Sequence, residues 1–138
     1  MSELSASCSC GAVRCEIAQK LETVVNCHCT MCRKMNGGAF SSMVVAPDAA
    51  VTFTAGEDAL GTYALSEAVM KHFCRQCGSP MFNRNTRFPG FIMFFLGAVD
   101  GIDAVVPVFN VFCRSKLGWV DGIGAMMSYE ASPDGGPS

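Results

Sequence analysis

Three short clusters of cysteine constrain this chain more than any other feature of its sequence. They are "CSC" at residues 8–10, "CHCTMC" at residues 27–32 and "CRQC" at residues 74–77, and they hold most of the nine cysteines. No basic segment followed by an apolar one opens the sequence, so we expect no secretory signal and a cytoplasmic location. Reducing compartments do not sustain disulfides, and an odd number of cysteines cannot pair completely. The clusters therefore indicate metal ligation.

The spacing within the first and third clusters predicts one closed zinc site. Two thiolates separated by one or two residues can bind the same ion, and a structural zinc takes four such ligands. Cys8 and Cys10 with Cys74 and Cys77 supply four. Joining the first cluster to the nearer middle one instead would give one ion five ligands and leave the third cluster with two. The first partition also closes a long loop, where a cross-link gains most in loop entropy.

The middle cluster then keeps three ligands, Cys27, Cys29 and Cys32, around an ion with one position open. Three protein ligands and one exchangeable position are typical of catalytic zinc. The chain offers three candidates for a fourth ligand: His28, Cys15 and Cys113. His28 lies between two ligands, and in an extended segment its side chain would point the other way.

The charge of the middle site favours a thiol as the exchangeable ligand. Three thiolates and Zn²⁺ leave a formal charge of −1, so a bound water is acidified less than on zinc held by neutral histidines. A soft thiol matches this position better than hydroxide, and coordination would deprotonate it. The chemistry that we predict from the ligand count is thiol activation.

The remaining sequence predicts a mostly β fold, with antiparallel sheets and the cysteine clusters on turns between strands. Short β-branched or aromatic runs, bounded by Gly, Pro or Asp, indicate strands; they cover residues 12–18, 39–47, 51–56, 61–65, 69–74, 91–99 and 108–113. One short helix is predicted over residues 30–35, with Thr30 as N-cap and Gly37 and Gly38 as its stop. We expect a single domain over residues 1–131 and a disordered tail over 132–138.

Composition excludes two classes of partner. The net charge is −2 and the ten Lys and Arg residues are scattered, so the sequence lacks the basic block that binds nucleic acid. The longest apolar run, residues 91–99, is about half of the roughly 20 residues that span a bilayer. We therefore expect small-molecule partners, and neither nucleic acid nor membrane.

Five segments, "CSCGAVRCEI", "NCHCTMCRKMNGGAFSS", "HFCRQCGSPMF", "LGAVDG" and "PVFNVFCRSKLGW", carry a resemblance to a known family. In their order and spacing the chain resembles the glutathione-dependent formaldehyde-activating enzymes, which belong to the β-tent group of zinc proteins. The resemblance runs from about Ser7 to Trp119. It implies a β-tent fold with zinc-binding turns and at most one or two short helices.

The resemblance also implies two zinc ions per chain and glutathione as co-substrate. By this likeness Cys8, Cys10, Cys74 and Cys77 hold a structural zinc. Cys27, Cys29 and Cys32 hold the second zinc, which is open to the sulfur of glutathione. The family reaction adds glutathione to formaldehyde and gives S-hydroxymethylglutathione, and homologues are often labelled carbon-sulfur lyases for the reverse direction.

Two positions depart from the family pattern. Ser9 stands where the family often has His, and Asn110 ends a segment that usually reads P-x-x-H. Asn110 can form hydrogen bonds but cannot titrate near neutral pH. Asn110, Arg33 and Lys34 are our candidates for contacts to substrate, because glutathione carries two carboxylates; a solvated surface is the alternative reading of the two basic residues.

Our hypothesis is that a thiol held at the middle zinc adds to a small aldehyde, with the proton supplied by His28, His72 or water. A non-catalytic zinc-binding module with a chaperone-like or protein-binding role is the competing class, since a fold does not fix a function. A redox or metal-storage protein is a third. An open site of three cysteines favours the enzyme, whereas a site closed by a fourth protein ligand favours the module.

Overall fold

The computed structural model describes residues 4–18, 23–101 and 105–137, and in these ranges the chain forms two β-sheets, one α-helix and several 3-10 turns. The strands are β1 (Leu4–Ser7), β2 (Arg14–Ile17), β3 (Thr23–Cys27), β4 (Ser41–Pro47), β5 (Val51–Ala55), β6 (Leu60–Ala64), β7 (Val69–Cys74), β8 (Pro80–Asn85), β9 (Phe91–Phe95), β10 (Val99–Asp100) and β11 (Phe109–Val111). The helix α1 is Thr30–Asn36, and the 3-10 turns are Asp48–Ala50, Glu57–Ala59, Leu96–Ala98, Cys113–Ser115 and Gly118–Ala125.

The smaller sheet has the order β10-β1-β2-β5, and the larger has the order β11-β3-β4-β9-β8-β7-β6. Neighbouring strands are antiparallel with one exception, because β11 pairs parallel with β3. Asn110 lies opposite Asn26 in this pair, and Val111 lies opposite Cys27. The predicted mostly β fold is confirmed, and the parallel edge pair is an addition to it.

A single apolar core joins the two sheets. Alternation in β2 buries Cys15 and Ile17 and exposes the charged residues between them, as expected for a strand with one solvated face. The Phe82 ring of β8 packs against Phe53 of β5 at a centroid distance of 5.9 Å and against Phe94 of β9 at 5.6 Å. Since β5 and β8 belong to different sheets, the contact of Phe82 with Phe53 joins the two sheets, whereas its contact with Phe94 lies within the larger one.

The predicted strand runs contain most of the observed strands. The run over residues 91–99 is divided, because the chain turns through a 3-10 segment at Leu96–Ala98 between β9 and β10. Three strands were not predicted: β1, β3 and β8. β1 and β8 read as small or polar segments, "LSAS" and "PMFNRN", and pairing with their neighbours holds them extended. β3 is "TVVNC", a β-branched run next to the middle cysteine cluster that the prediction overlooked.

The short helix is confirmed, but its predicted N-cap is wrong. Cys29 occupies the N-cap position with an extended backbone, and its Sγ accepts a hydrogen bond of 3.2 Å from the backbone N–H of Cys32. Thr30 is instead the first helical residue. Gly37 ends the helix in the left-handed conformation, with φ of 76°, as predicted. In the described part of the chain, no helix is both long and apolar enough to cross a membrane.

The C-terminal tail was predicted to be disordered over residues 132–138. Residues 132–137 form neither strand nor helix, and Ser138 lies outside the described residues. The disorder of the tail stays a prediction, as does the domain boundary at residue 131.

Two glycines test how closely the chain after β5 approaches the turn between β1 and β2, within the smaller sheet. Gly56 and Gly90 both have a positive φ, of 73° and 84°. A Cβ added to Gly56 would lie 1.9 Å from the Ala12 carbonyl oxygen, whereas a Cβ added to Gly90 would have no atom within 4 Å. We expect Gly90→Ala to lower the free energy of unfolding by about 1–2 kcal/mol, the cost of a left-handed Ala. Gly56→Ala should cost about 1–3 kcal/mol more, because backbone must move. Urea unfolding followed by circular dichroism measures both, and equal losses would contradict the close approach.

Candidate metal centres

The four-cysteine group joins one hairpin turn from each sheet. Cys8 and Cys10 lie in the turn between β1 and β2, and Cys74 and Cys77 lie at the turn between β7 and β8. Both turns are closed by backbone hydrogen bonds, from the Cys8 N–H to the Val13 carbonyl and from the Cys74 N–H to the Ser79 carbonyl. The first and third cysteine clusters, which are more than sixty residues apart in sequence, are thereby brought to one point where the two sheets meet.

A glycine with positive φ completes each turn, as the sequence indicated. Gly11 has φ of 79° and Gly78 has φ of 78°. The Gly11 N–H donates to the Cys8 carbonyl, and the Gly78 N–H donates to the Cys74 carbonyl. This left-handed residue turns the chain just after the second cysteine, so that both sulfurs of a pair face the same point.

The sulfur positions of this group fit a zinc ion. Its four Sγ atoms lie within 4.8 Å of one another, with 3.6 Å between Cys8 and Cys10 and 3.8 Å between Cys10 and Cys74. Four sulfurs bound to zinc at about 2.3 Å in a tetrahedron would be separated by about 3.8 Å. All nine cysteines, each within the described ranges, are free thiols, so the group is not two disulfides.

Hydrogen bonds from Ser79 favour the thiolate form of Cys77. The Ser79 hydroxyl lies 3.1 Å from Cys77 Sγ, and the Ser79 Oγ accepts from the Ser9 backbone N–H at 2.9 Å. The hydroxyl and backbone N–H of Ser79 lower the pKa of the Cys77 thiol to about 5. The contact of Ser9 uses its backbone, so the departure from the family pattern at this position leaves it intact.

The three-cysteine group is built from the end of β3 and the start of α1. Cys27 is the last residue of β3, Cys29 is the N-cap of the helix, and Cys32 lies in its first turn. Their Sγ atoms lie within 4.8 Å of one another, and those of Cys27 and Cys29 are 3.5 Å apart. The N-cap geometry therefore aims the Cys29 sulfur at the same point as its two partners.

Cys27 and Cys32 have opposite pKa shifts because they share a hydrogen bond. A hydrogen bond from Cys32 lowers the pKa of Cys27 to about 6, although burial opposes this shift. The same hydrogen bond raises the pKa of Cys32, and burial raises it further. One thiolate is thus stabilised at the expense of another. A soft divalent cation would remove this competition, and three close sulfurs suit zinc.

The structure separates the three candidate fourth ligands from this group. Cys15 is buried in the core, where burial raises the pKa of its thiol to about 12. Cys113 is exposed on the 3-10 turn that follows β11. His28 is buried, and its Nε2 lies 3.1 Å from Asn110 Oδ1. Within the described residues, the potential metal-binding group contains three sulfurs and no fourth ligand.

A chain of hydrogen bonds runs from β4 to His28. The Ser42 hydroxyl donates to Asn26 Oδ1 at 2.7 Å, and Asn26 Nδ2 donates to Asn110 Oδ1 at 3.3 Å. Asn110 Oδ1 also faces His28 Nε2. The imidazole therefore carries its proton on Nε2, and its buried Nδ1 has no partner among the described residues.

The other candidate contacts to substrate have different environments. Arg33 Nη1 donates to the Ser115 carbonyl at 2.9 Å, which fastens α1 to the segment after β11. Lys34 is exposed on the helix. His72 lies on β7 and stacks on the Phe82 ring at 4.5 Å, and burial lowers its pKa. Neither cysteine group includes His72.

A cavity of about 710 Å³ lies beside the four-cysteine group. Serine hydroxyls, Asn36, Asp100 and the 3-10 turn Leu96–Ala98 line much of it, and Cys8 contributes to its wall. None of the three cysteines of the other group lines this cavity. Ser42 links the cavity to that group by the hydrogen-bond chain to His28. Asn36 links it as well, because it donates to the Ser41 hydroxyl, which donates to the Cys32 carbonyl.

Sequence reasoning missed two contributors to these sites, Ser79 and the pair formed by Asn26 and Ser42. Ser79 lies two residues after Cys77, so the sequence could have indicated its hydroxyl as a hydrogen-bond partner of that sulfur. Asn26 precedes Cys27 directly, but its role depends on the register of β3 against β4 and β11, which no local pattern gives.

Substitutions of single cysteines distinguish the two groups. We expect the wild-type chain to bind two zinc ions and Cys29→Ser to bind one and stay folded, because serine is a good N-cap and keeps the helix. Cys77→Ser should lose the other zinc and unfold, because metal binding contributes folding free energy at such a site. Cys113→Ser is the control and should keep both ions. Native mass spectrometry with circular dichroism measures this, and a single zinc in the wild type would contradict two sites.

Comparisons with known proteins agree on one family. The family model described as glutathione-dependent formaldehyde-activating enzyme matches residues 3–115. A protein of Halomonas elongata, named provisionally as such an enzyme, is 30% identical over 126 residues, which cover 86% of this chain and 80% of the relative. A Fusarium vanettenii protein of the same name is 32% identical over 59% of this chain and 44% of its own length.

A solved structure supports the fold. The crystal structure of a Rhodobacter sphaeroides protein superposes with a TM-score of 0.63 at 20% identity, and covers 77% of this chain and 98% of that protein. The family model covers most of the chain, and the cysteines of both groups lie inside the matched range. The chain belongs to the glutathione-dependent formaldehyde-activating enzyme family.

Proposed function

We propose that this chain is a zinc-dependent enzyme that adds the thiol of glutathione to formaldehyde or a similar small aldehyde. The reaction is of the S-hydroxymethylglutathione synthase type, and the enzyme is then a carbon-sulfur lyase in the reverse direction. The proposed cofactors are two zinc ions, within a β-tent fold, and the proposed location is the cytoplasm, where free thiols persist. The observation that carries the proposal is a group of three sulfurs without a fourth protein ligand in the described structure.

The four-cysteine and three-cysteine groups would have different roles. Cys8, Cys10, Cys74 and Cys77 would hold a zinc that fixes the hairpin turns of both sheets, and four protein ligands leave no place for substrate. Cys27, Cys29 and Cys32 would hold a zinc with one exchangeable position. Zinc bound there would lower the pKa of an added thiol, so that its sulfur is a nucleophile near neutral pH.

The proposed reaction needs one proton to leave and one to arrive. A bond forms between the thiol sulfur and the aldehyde carbon, the π electrons of the carbonyl pass to its oxygen, and this oxygen takes a proton to replace the one that the thiol lost. His28 is 1% exposed and its Nε2 is engaged with Asn110, while the half-buried His72 stacks on Phe82 and belongs to neither cysteine group. Water is therefore the proton donor that we propose.

The basic residues next to the three-cysteine group suit a thiol that carries carboxylates. Arg33 and Lys34 follow Cys32 directly on α1, and Arg33 uses Nη1 for the Ser115 carbonyl, so its remaining N–H groups are available to a ligand. Guanidinium and ammonium groups are the usual partners of carboxylates. The two carboxylates of glutathione would meet these donors at the exposed face of the helix.

A specific observation supports a second candidate, a zinc-binding module that binds another protein. The segment after β10 exposes large apolar side chains, among them Val106 at 68% and Met127 at 82% exposure. Exposed apolar patches often mark interaction sites. This candidate predicts a protein that binds both zinc ions but does not accelerate any reaction of glutathione with aldehyde.

Exchange NMR separates the two candidates. Formaldehyde and glutathione form the adduct spontaneously, so the measurement is the exchange rate between ¹³C-formaldehyde hydrate and S-hydroxymethylglutathione at equilibrium. We expect the zinc-loaded wild type to raise this rate, Cys113→Ser to match it, and Cys29→Ser to return the rate to the uncatalysed value, because the exchangeable zinc position is lost. An uncatalysed rate with fully loaded wild type would contradict the enzyme and favour the module.

A further inference from the structure

We propose that the C-terminal arm, residues 105–130, forms the interface of a symmetric dimer with a second copy of this chain. The arm comprises β11, the 3-10 turns Cys113–Ser115 and Gly118–Ala125, and the segments that flank and join them. Both cysteine groups lie within one chain, so this inference goes beyond the proposed function and does not rest on it.

The arm carries most of the large apolar side chains that the chain exposes. Of thirteen such side chains in the described residues, nine lie on the arm, including Trp119 at 52% and Met127 at 82% exposure. No residue between positions 105 and 130, all of which the structure describes, is buried. Exposed apolar side chains gathered in one segment mark an interaction surface.

The base of the arm is fastened to the body of the chain. The His28 N–H donates to the Val111 carbonyl at 3.1 Å, and Arg33 Nη1 donates to the Ser115 carbonyl at 2.9 Å. Between these two contacts Phe112 has φ of 56°, a left-handed conformation that bulky residues rarely adopt. Such conformations persist where the surrounding structure fixes them, and they are common in functional segments. The arm therefore leaves β11 in a set direction.

Beyond Ser115 the arm is organised by local hydrogen bonds. Lys116 Nζ donates to Asp121, and the Met126 N–H donates to the Ile123 carbonyl. In the part of the arm that the structure describes, each hydrogen bond after Ser115 joins residues at most five positions apart. Its apolar side chains are thus placed by local turns, and the body of the chain leaves them uncovered.

The surface area of the chain exceeds that of a typical monomer by the amount that a dimer interface covers. The chain exposes 8476 Å². A monomeric protein of 14.6 kDa typically exposes about 6,900 Å², so the excess is about 1,500 Å². A standard interface buries about 800 Å² of each partner, and obligate homodimers bury about 1,000–2,500 Å² of each. The excess lies within the range of homodimers.

The charge of the arm favours a second copy as the partner. Two basic residues, Arg114 and Lys116, are balanced by Asp121 and Glu130, so the arm has no net charge. Lys116 is already paired with Asp121 at 3.0 Å. A two-fold interface brings the same patch of both copies together, and a patch of one sign would repel itself. A neutral, largely apolar arm meets this condition and offers nothing to a strongly charged partner.

The single tryptophan of the chain, Trp119, reports whether the arm is covered. Indole emission lies at shorter wavelengths when water is excluded from the ring. The experiment is sedimentation equilibrium of the zinc-loaded full chain, together with Trp119 fluorescence over a dilution series. A phosphine reductant excludes disulfides through the exposed Cys113. We expect a dimer at about 10 μM chain, because interfaces of this area have dissociation constants between about 1 μM and 1 pM.

Two substitutions place a charge in the proposed interface. Met127→Glu and Ile123→Glu change side chains that are exposed in the single chain, so folding and zinc content should be kept. Each substitution occurs twice in a symmetric dimer, and we expect the dissociation constant to rise about a hundredfold or more. Trp119 emission should then move to the longer wavelengths of an exposed indole. Phe88→Glu is the matched control, because Phe88 is 54% exposed but lies in the turn between β8 and β9.

The other outcomes overturn the proposal. A monomeric wild type with short-wavelength emission would show that the arm packs on its own chain. A monomer with long-wavelength emission would leave the arm to a different protein, as a zinc-binding module requires. A dimer that both arm variants leave intact, or that Phe88→Glu dissociates equally, would have its interface elsewhere. None of these measurements uses glutathione, so their result is independent of the proposed reaction.

Discussion

The contact between four sulfurs at the junction of two hairpin turns is the constraint on which the rest of the structure depends. Cys8 and Cys10 belong to the turn of the smaller sheet, and Cys74 and Cys77 belong to the turn of the larger one. Thiolates this close repel one another unless a cation lies between them, so binding of a metal ion here would be coupled to the docking of the sheets. The aromatic contacts of Phe82 then extend this junction into a core.

The two cysteine groups differ by one sulfur. This difference would distinguish a structural metal site from a reactive one. Under the proposed function, the four-cysteine group would satisfy a tetrahedral ion, whereas the three-cysteine group would leave one position for a thiol. The secondary structure explains why the second group stops at three. Cys15 is directed into the core by the alternation of β2, and Cys113 is carried onto an exposed turn after β11. His28 is held by Asn110 instead.

The two cysteine groups were predictable because each cluster is local in sequence and its spacing alone places sulfurs together. Strands rich in β-branched residues and the Gly37 stop of the helix were predictable for the same reason. The Cys29 cap was not, because cysteine is seldom considered for a role that serine and threonine usually take. The contacts of Asn110 with Asn26 and His28 span more than 80 residues and depend on a parallel register that a local pattern does not encode.

X-ray absorption at the zinc edge tests the central claim most directly, because it counts the sulfurs around each ion. Seven sulfurs shared between two ions predict an average of 3.5 sulfur ligands per zinc in the purified protein, with a light atom completing the second site. Addition of glutathione should raise the average to 4 and remove the light atom. An average of 4 before glutathione, or one that does not change with it, would contradict a three-sulfur site open to thiol.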